Sequence, residues 1–130
     1  MRKLGLAVAV LLLLGSLCFA EYVPCKVKLG LLDRLVVMGL LPQESNFATL
    51  KIVTDLQLQL GPTEEEFKKA GLSAAPNGGV IAKDWNAVEE KEFTFGEIAE
   101  GIIVDALKKM DKEKKLKREF MSVYEKFIKE

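Results

Sequence analysis

The 130-residue sequence has no histidine, two cysteines and one tryptophan. Without histidine there is no imidazole general base, no Ser-His-Asp or Cys-His nucleophile, and no His-ligated metal or haem. Two cysteines cannot build a four-thiolate zinc site or an iron–sulfur cage. An excess of one charge is also missing, since 19 basic side chains balance 19 acidic ones. There is no internal repeat or low-complexity tract, and 49% hydrophobic content argues against a disordered chain. Gly78-Gly79 lacks the Gly-Lys-Ser/Thr of a phosphate loop, and Ser45, Ser73 and Ser122 lie in no nucleophile elbow. No cofactor is implied, and the length suits one domain.

The N-terminus carries a recognisable pattern. Arg2 and Lys3 precede an uncharged apolar run from Leu4 to Leu14, and Cys18-Phe19-Ala20 ends it in small-x-small form. This is the anatomy of a secretory signal peptide over residues 1–20, with cleavage expected after Ala20. The chain is therefore expected to be exported, periplasmic or secreted. The alternative is a membrane tether formed by an uncleaved segment, because the 17 residues from Leu4 to Ala20 reach the lower limit of a span. Lipidation at Cys18 is disfavoured by Leu17, which is not small. Cleavage leaves 17 basic and 19 acidic side chains, a net charge of −2, and no further transmembrane helix. It also leaves Cys25 as the single thiol, a candidate for an intermolecular disulfide.

Residues 21–28 form a short lead-in segment broken by Pro24, and residues 29–130 a single helical domain. Residues 29–41 are dense in Leu, Val and Met. They predict a nearly wholly buried helix, with Asp33-Arg34 as its wet edge and Pro42 as its stop. Ser45 or Asn46 can cap the next helix, in which Phe47, Leu50, Val53, Leu56 and Leu60 share one face. Strict alternation from Asp55 to Leu60 is also strand grammar, but the preceding residues do not alternate. Gly61-Pro62 ends this helix. Thr63 and Glu66 form a capping box, and Gly71 suits the C′ position of a short helix. Residues 73–79 (Ser-Ala-Ala-Pro-Asn-Gly-Gly) read as a loop.

Residues 80–95 are ambiguous. Val80-Ile81-Ala82 and Glu92-Phe93-Thr94-Phe95 are β-prone, which leaves room for a small hairpin at about 80–95 carrying Trp85 as a core anchor. Thr94 with Glu97 forms a second capping box, and Phe93 with Ile98 a hydrophobic staple. From Ile98 to Met110 an apolar stripe continues, then lapses over five charged residues, 111–115, which favours a break before the final helix. The expected fold is mainly α: a compact bundle of four to five helices with that hairpin as the one β option.

Charge is sorted along the chain. Lys108, Lys109, Lys112, Lys114, Lys115, Lys117 and Arg118 outweigh Asp111 and Glu113, a local net of +5. An anionic membrane or cell-wall polymer is one reading, and a solvated helix face is the other. Nucleic acid is disfavoured because no aromatic residue within the run can stack on bases. Glu89, Glu90, Glu92, Glu97 and Glu100 make an acidic counterpart. With Asp84 they suggest a calcium loop by composition, but position six would be Glu89 rather than glycine and position twelve Phe95 rather than glutamate. Paired carboxylates for a glycosidase carry no arranged signal.

The run Leu41-Pro42-Gln43-Glu44-Ser45-Asn46-Phe47-Ala48-Thr49-Leu50-Lys51-Ile52-Val53 resembles a known pattern. So do Gly96-Glu97-Ile98-Ala99 leading to Ile102-Ile103 and Ala106-Leu107-Lys108-Lys109, and the closing Tyr124-Glu125-Lys126-Phe127. Together they resemble small helical proteins of unknown function found in bacterial and phage genomes, over about residues 27–128. That resemblance implies no activity and no site residue. The residues themselves point to a non-enzymatic exported domain whose partner is a protein, either itself or another. The runner-up is peripheral binding to an anionic surface through residues 108–118.

Overall fold

The computed structural model describes residues 23–129, so the signal peptide expected over residues 1–20 lies outside the described part. In chain order the elements are β1 (Cys25–Leu29), α1 (Leu31–Leu40), α2 (Phe47–Leu60), α3 (Glu64–Ala70), β2 (Ser73–Ala74) and β3 (Val80–Ile81). A 3-10 turn at Trp85–Ala87, β4 (Lys91–Phe95), α4 (Glu97–Lys112), a second 3-10 turn at Arg118–Phe120 and α5 (Met121–Phe127) complete the chain. The fold is mainly α and compact, as expected, with five helices among the described residues. None of these helices is long and apolar enough to cross a membrane.

Both β-prone stretches become strands, but they pair with other segments rather than with each other. β4 runs antiparallel to β1, with Cys25 opposite Phe95 and Leu29 opposite Lys91. The lead-in segment is thus part of the domain. Its Cys-Lys-Val-Lys-Leu sequence alternates, burying Val27 and Leu29 and exposing Lys26 and Lys28. β3 pairs instead with β2 across the loop of residues 75–79. That loop is closed by bonds from Gly78 N to Ala75 O (3.0 Å) and from Ala75 N to Gly79 O (2.8 Å). Gly78 adopts φ +87°, a region glycine enters without a Cβ penalty.

The helix ends follow the sequence at three places and depart from it at one. The Asn46 side chain accepts from Thr49 N (2.8 Å), the Thr63–Glu66 capping box is complete, and Gly71 ends α3 in the left-handed conformation. The second capping box does not form. β4 extends to Phe95 and takes Thr94 into its pairing with Lys26, so α4 starts from Gly96 without a side-chain cap. The staple fails with it, because Phe93 turns into the core while Ile98 stays exposed. The expected break is present: α4 ends at Lys112, and Lys114 takes a positive φ of 59°.

The main core gathers Val27, Leu29, Val36, Val37, Leu56, Leu60, Phe95, Ile103, Leu107 and Val123, among others. Phe95 sits at its centre, its ring 6.5 Å from Phe93 and 5.5 Å from Phe127. Burying one such ring stabilises the fold by about 1.5–3 kcal/mol. A smaller cluster of Leu31, Ala70, Leu72 and Val88 lies at the N-terminal end of α1, with Trp85 packed on it. Helix α1 spans both clusters. Phe47, expected on the buried face of α2, is exposed because that face meets the core only from Val53 onward.

Candidate functional site

The charges on α1 are not its wet edge. Asp33 and Arg34 are 8% and 2% exposed, because each is held by partners from distant elements. Arg34 Nη1 and Nη2 donate to Glu66 Oε2 and Oε1 (2.7 and 3.1 Å). Its Nε and Nη2 donate to the carbonyls of Leu60 and Gly61, each at 2.9 Å. The guanidinium also stands 5.4 Å from the Phe93 ring centroid. Glu66 keeps its capping bond to Thr63 N and takes an ion pair from Lys91 Nζ (3.0 Å). The Arg34 hydrogen bonds hold the Glu66 carboxyl well below the usual carboxylate range, against a burial effect that would raise it.

Asp33 faces the other way. Its Oδ2 accepts from Lys126 Nζ (2.8 Å) and from Ser122 Oγ (3.3 Å), both near the chain's C-terminal end. Lys126 also reaches Glu90 Oε1 at 3.4 Å. Burial alone would lower the Lys126 pKa, but the bond and charge of Asp33, with Glu90 behind, raise it above its ordinary value. The dipeptides Asp33-Arg34 and Glu90-Lys91 therefore interlock, each contributing one residue to each network. Among the described residues every buried side-chain nitrogen and oxygen has a hydrogen-bond partner. A satisfied network of this kind orients α1.

What α1 leaves open is the side carrying Leu32, Leu35 and Gly39, at spacings of three and four. With Val36 they line a groove of about 280 Å³ whose other lining residues are Val80, Trp85, Glu119 and Phe120. A second hollow of about 360 Å³ adjoins it, sharing Leu32 and Trp85, and is lined by Asp33, Asn86, Glu89 and Glu90. Trp85 is therefore half-buried between the two hollows, not the anchor of a hairpin. Local bonds hold it there. Lys83 N and Asp84 N both donate to Ala70 O (2.9 and 3.1 Å), and Asp84 Oδ1 caps Asn86 N at 2.9 Å. That cap is what Asp84 does in a segment with calcium-loop composition.

The sequence-predicted site residues fall in two places. Lys108, Lys109 and Lys112 lie on the last turns of α4, while Lys114, Lys115, Lys117 and Arg118 lie in the connection after it. All seven are exposed. Among the described residues only Lys115 of these has an ion-pair partner, Glu113 at 3.4 Å. Lys108 also borders a cleft of about 490 Å³ with Cys25, Lys26, Glu100 and Lys129, so it alone of the seven lines a hollow with Cys25. Cys25 is half-buried in β1 and free. Burial, and then the Glu100 carboxylate, push its thiol pKa up.

The burial of Asp33 and Arg34 is what the sequence does not reveal. The available signal was Asp33-Arg34 itself, an ion pair of residue types inside an otherwise apolar helix, which breaks the local pattern and so marks a place where distant partners must answer. No family model, no curated protein and no solved structure matches the chain.

Proposed function

We propose that this chain is an exported, non-enzymatic interaction domain that seats a polypeptide segment in the groove along α1. One observation carries the reading: the apolar stripe Leu32-Leu35-Gly39 stays accessible, beside Trp85 and Phe120, on a helix otherwise enclosed. Helix-in-groove recognition needs such a row of apolar positions between raised walls.

The reading is tested with two arginine variants. A Cβ at Gly39 would meet nothing within 4 Å, so Gly39→Arg adds a long cationic side chain to the groove lining from a position with room for its first carbon. Leu58→Arg changes a residue 78% exposed on α2, away from the groove. A protein recovered with the wild-type chain from its native compartment is purified and titrated against all three. Gly39→Arg is expected to weaken binding at least tenfold, about 1.4 kcal/mol, and Leu58→Arg to leave it unchanged. Equal binding by Gly39→Arg removes the groove from the interaction.

A second reading is favoured by the six exposed cations of residues 108–118 that have no ion-pair partner among the described residues. They suit peripheral contact with an anionic membrane or cell-wall polymer. Co-sedimentation with phosphatidylglycerol vesicles tests this. Binding is expected to fall with salt and with Lys112→Glu/Lys115→Glu, and binding indifferent to both rejects it.

A further inference from the structure

We infer that the cleft formed by β1, α4 and the end of α5 binds a small anionic amphiphile, a phosphate or carboxylate carried on a hydrocarbon chain. The cleft is lined by residues 23–26, by Glu100, Val104 and Lys108 at spacings of four along α4, and by residues 126–129. Its volume of about 490 Å³ is that of a small-ligand site. It shares no lining residue with the α1 groove, with the hollow beside Trp85, or with the larger hollow that holds Lys68, Lys69 and Lys91. With the basic run at residues 108–118 it shares only Lys108, so it stands apart from both readings above.

The charged part of the lining is Lys26, Lys108, Lys126, Lys129 and Glu100. Lys126 is engaged by Asp33 and Glu90, neither of which lines this cleft. Lys26, Lys108 and Lys129 are exposed and have no ion-pair partner among the described residues. The Glu100 carboxylate is already hydrogen-bonded to the Cys25 thiol. Even set against all three free lysines, its single charge leaves the lining positive. A cleft lined mainly by one sign of charge concentrates ions of the other. The rest of the lining is apolar: Val104 and Ile128 are half-buried, Phe127 is buried, and Val23 and Pro24 are exposed. A bare anion leaves this surface wet, whereas a hydrocarbon chain covers it and gains with each methylene removed from water. Apolar walls with a few charged groups are the usual make-up of a site for such a ligand.

Cys25 lines the cleft, so its alkylation reports occupancy. The full chain is treated with iodoacetamide, and modification at Cys25 is followed by peptide mass mapping. The probes are decyl phosphate below its micelle concentration, decyl glucoside and inorganic phosphate. Protection is the ratio of rates without and with probe, taken within each variant. Decyl phosphate is expected to protect Cys25 at concentrations at least about tenfold below either other probe, since two buried methylenes or one bond to a charged group are worth about that factor. Lys108→Glu/Lys129→Glu should raise the concentration needed roughly tenfold, and Glu100→Gln should lower it. Lys112→Glu/Lys115→Glu, outside the cleft, should leave it unchanged. Equal protection by decyl glucoside removes charge from the recognition and overturns the inference. Equal protection by inorganic phosphate removes the chain and overturns it as well. A loss in Lys112→Glu/Lys115→Glu as large as that in Lys108→Glu/Lys129→Glu moves the anion to the exposed run and overturns it too. Protection by phosphatidylglycerol vesicles but not by monomeric decyl phosphate assigns this face to a membrane, which also overturns it.

Discussion

Arg34 and Glu66, 32 residues apart in the chain, meet face to face in the interior through two charge-assisted hydrogen bonds. The pair joins α1 to α3, and the remaining donors of Arg34 hold the end of α2 through Leu60 and Gly61. Their geometry is the forked match of guanidinium and carboxylate that lysine cannot reproduce.

Removing Arg34 leaves several groups short of donors. Arg34→Met takes two donors from the Glu66 carboxylate, which keeps Thr63 N and Lys91, and removes the donors to two carbonyls; it is expected to destabilise the fold by about 1–3 kcal/mol. The double variant Arg34→Met/Glu66→Met should lose much less than the sum of the two single losses. Urea unfolding of the four proteins measures the difference. A cost for Arg34→Met below about 1 kcal/mol would mean the pair is not closed in solution.

Acid stability should depend on the same carboxylate. Its pKa is depressed in the folded state relative to the ordinary value of 4.5. The stabilisation is therefore complete above that ordinary value and declines as pH falls below it, where the unfolded chain binds the proton and the folded chain does not. Glu66→Gln is expected to be less stable at neutral pH and to show a flatter loss of stability from about pH 5 downward. Thermal melts across that window check the slope.

Two glycines should respond to alanine with opposite signs. At Gly101, inside α4, a Cβ meets nothing within 4 Å, so Gly101→Ala should stabilise by about 0.5–1 kcal/mol. At Gly71 φ is +65° and a Cβ would approach the Lys83 stem to 2.9 Å. Gly71→Ala is expected to destabilise by about 1–2 kcal/mol through the left-handed backbone alone. Calorimetry of both variants tests the pair, and equal signs would be incompatible with these backbone conformations.

Cys25 should be a sluggish thiol. Burial and the Glu100 carboxylate both disfavour its thiolate. Alkylation by iodoacetamide at neutral pH is expected to be slower than for an exposed model thiol, and Glu100→Gln should accelerate it. Unchanged kinetics in that variant would remove Glu100 from the thiol's surroundings.

The sequence was most legible where structure is local. The Thr63–Glu66 box, the Asn46 cap, Gly71 and the break after Lys112 depend on neighbours within one or two turns, and all are read correctly from their spacing. It was least legible where partners come from far away. Thr94 has the composition of a cap, yet strand pairing with Lys26 outcompetes it. Val80-Ile81 has a β-prone composition that names no partner, and the nearer Ser73-Ala74 takes it. Asp33 and Arg34 look solvated because their partners, Lys126 and Glu66, lie in other elements. The groove was hidden for the same reason, since its walls come from three separate parts of the chain.

The pairing of β1 with β4 also imposes an order of events. Cys25 waits for Phe95 and Leu29 for Lys91, so the first strand has no partner until most of the chain exists. At about 5–20 residues per second the wait during synthesis lasts several seconds. Through that interval Val27 and Leu29 can find burial only against α1, α2 and α3, because α4 and α5 follow β4 in the chain. The domain should therefore commit to its native topology late, once β4, α4 and α5 have joined the core, rather than grow stepwise from its N-terminus.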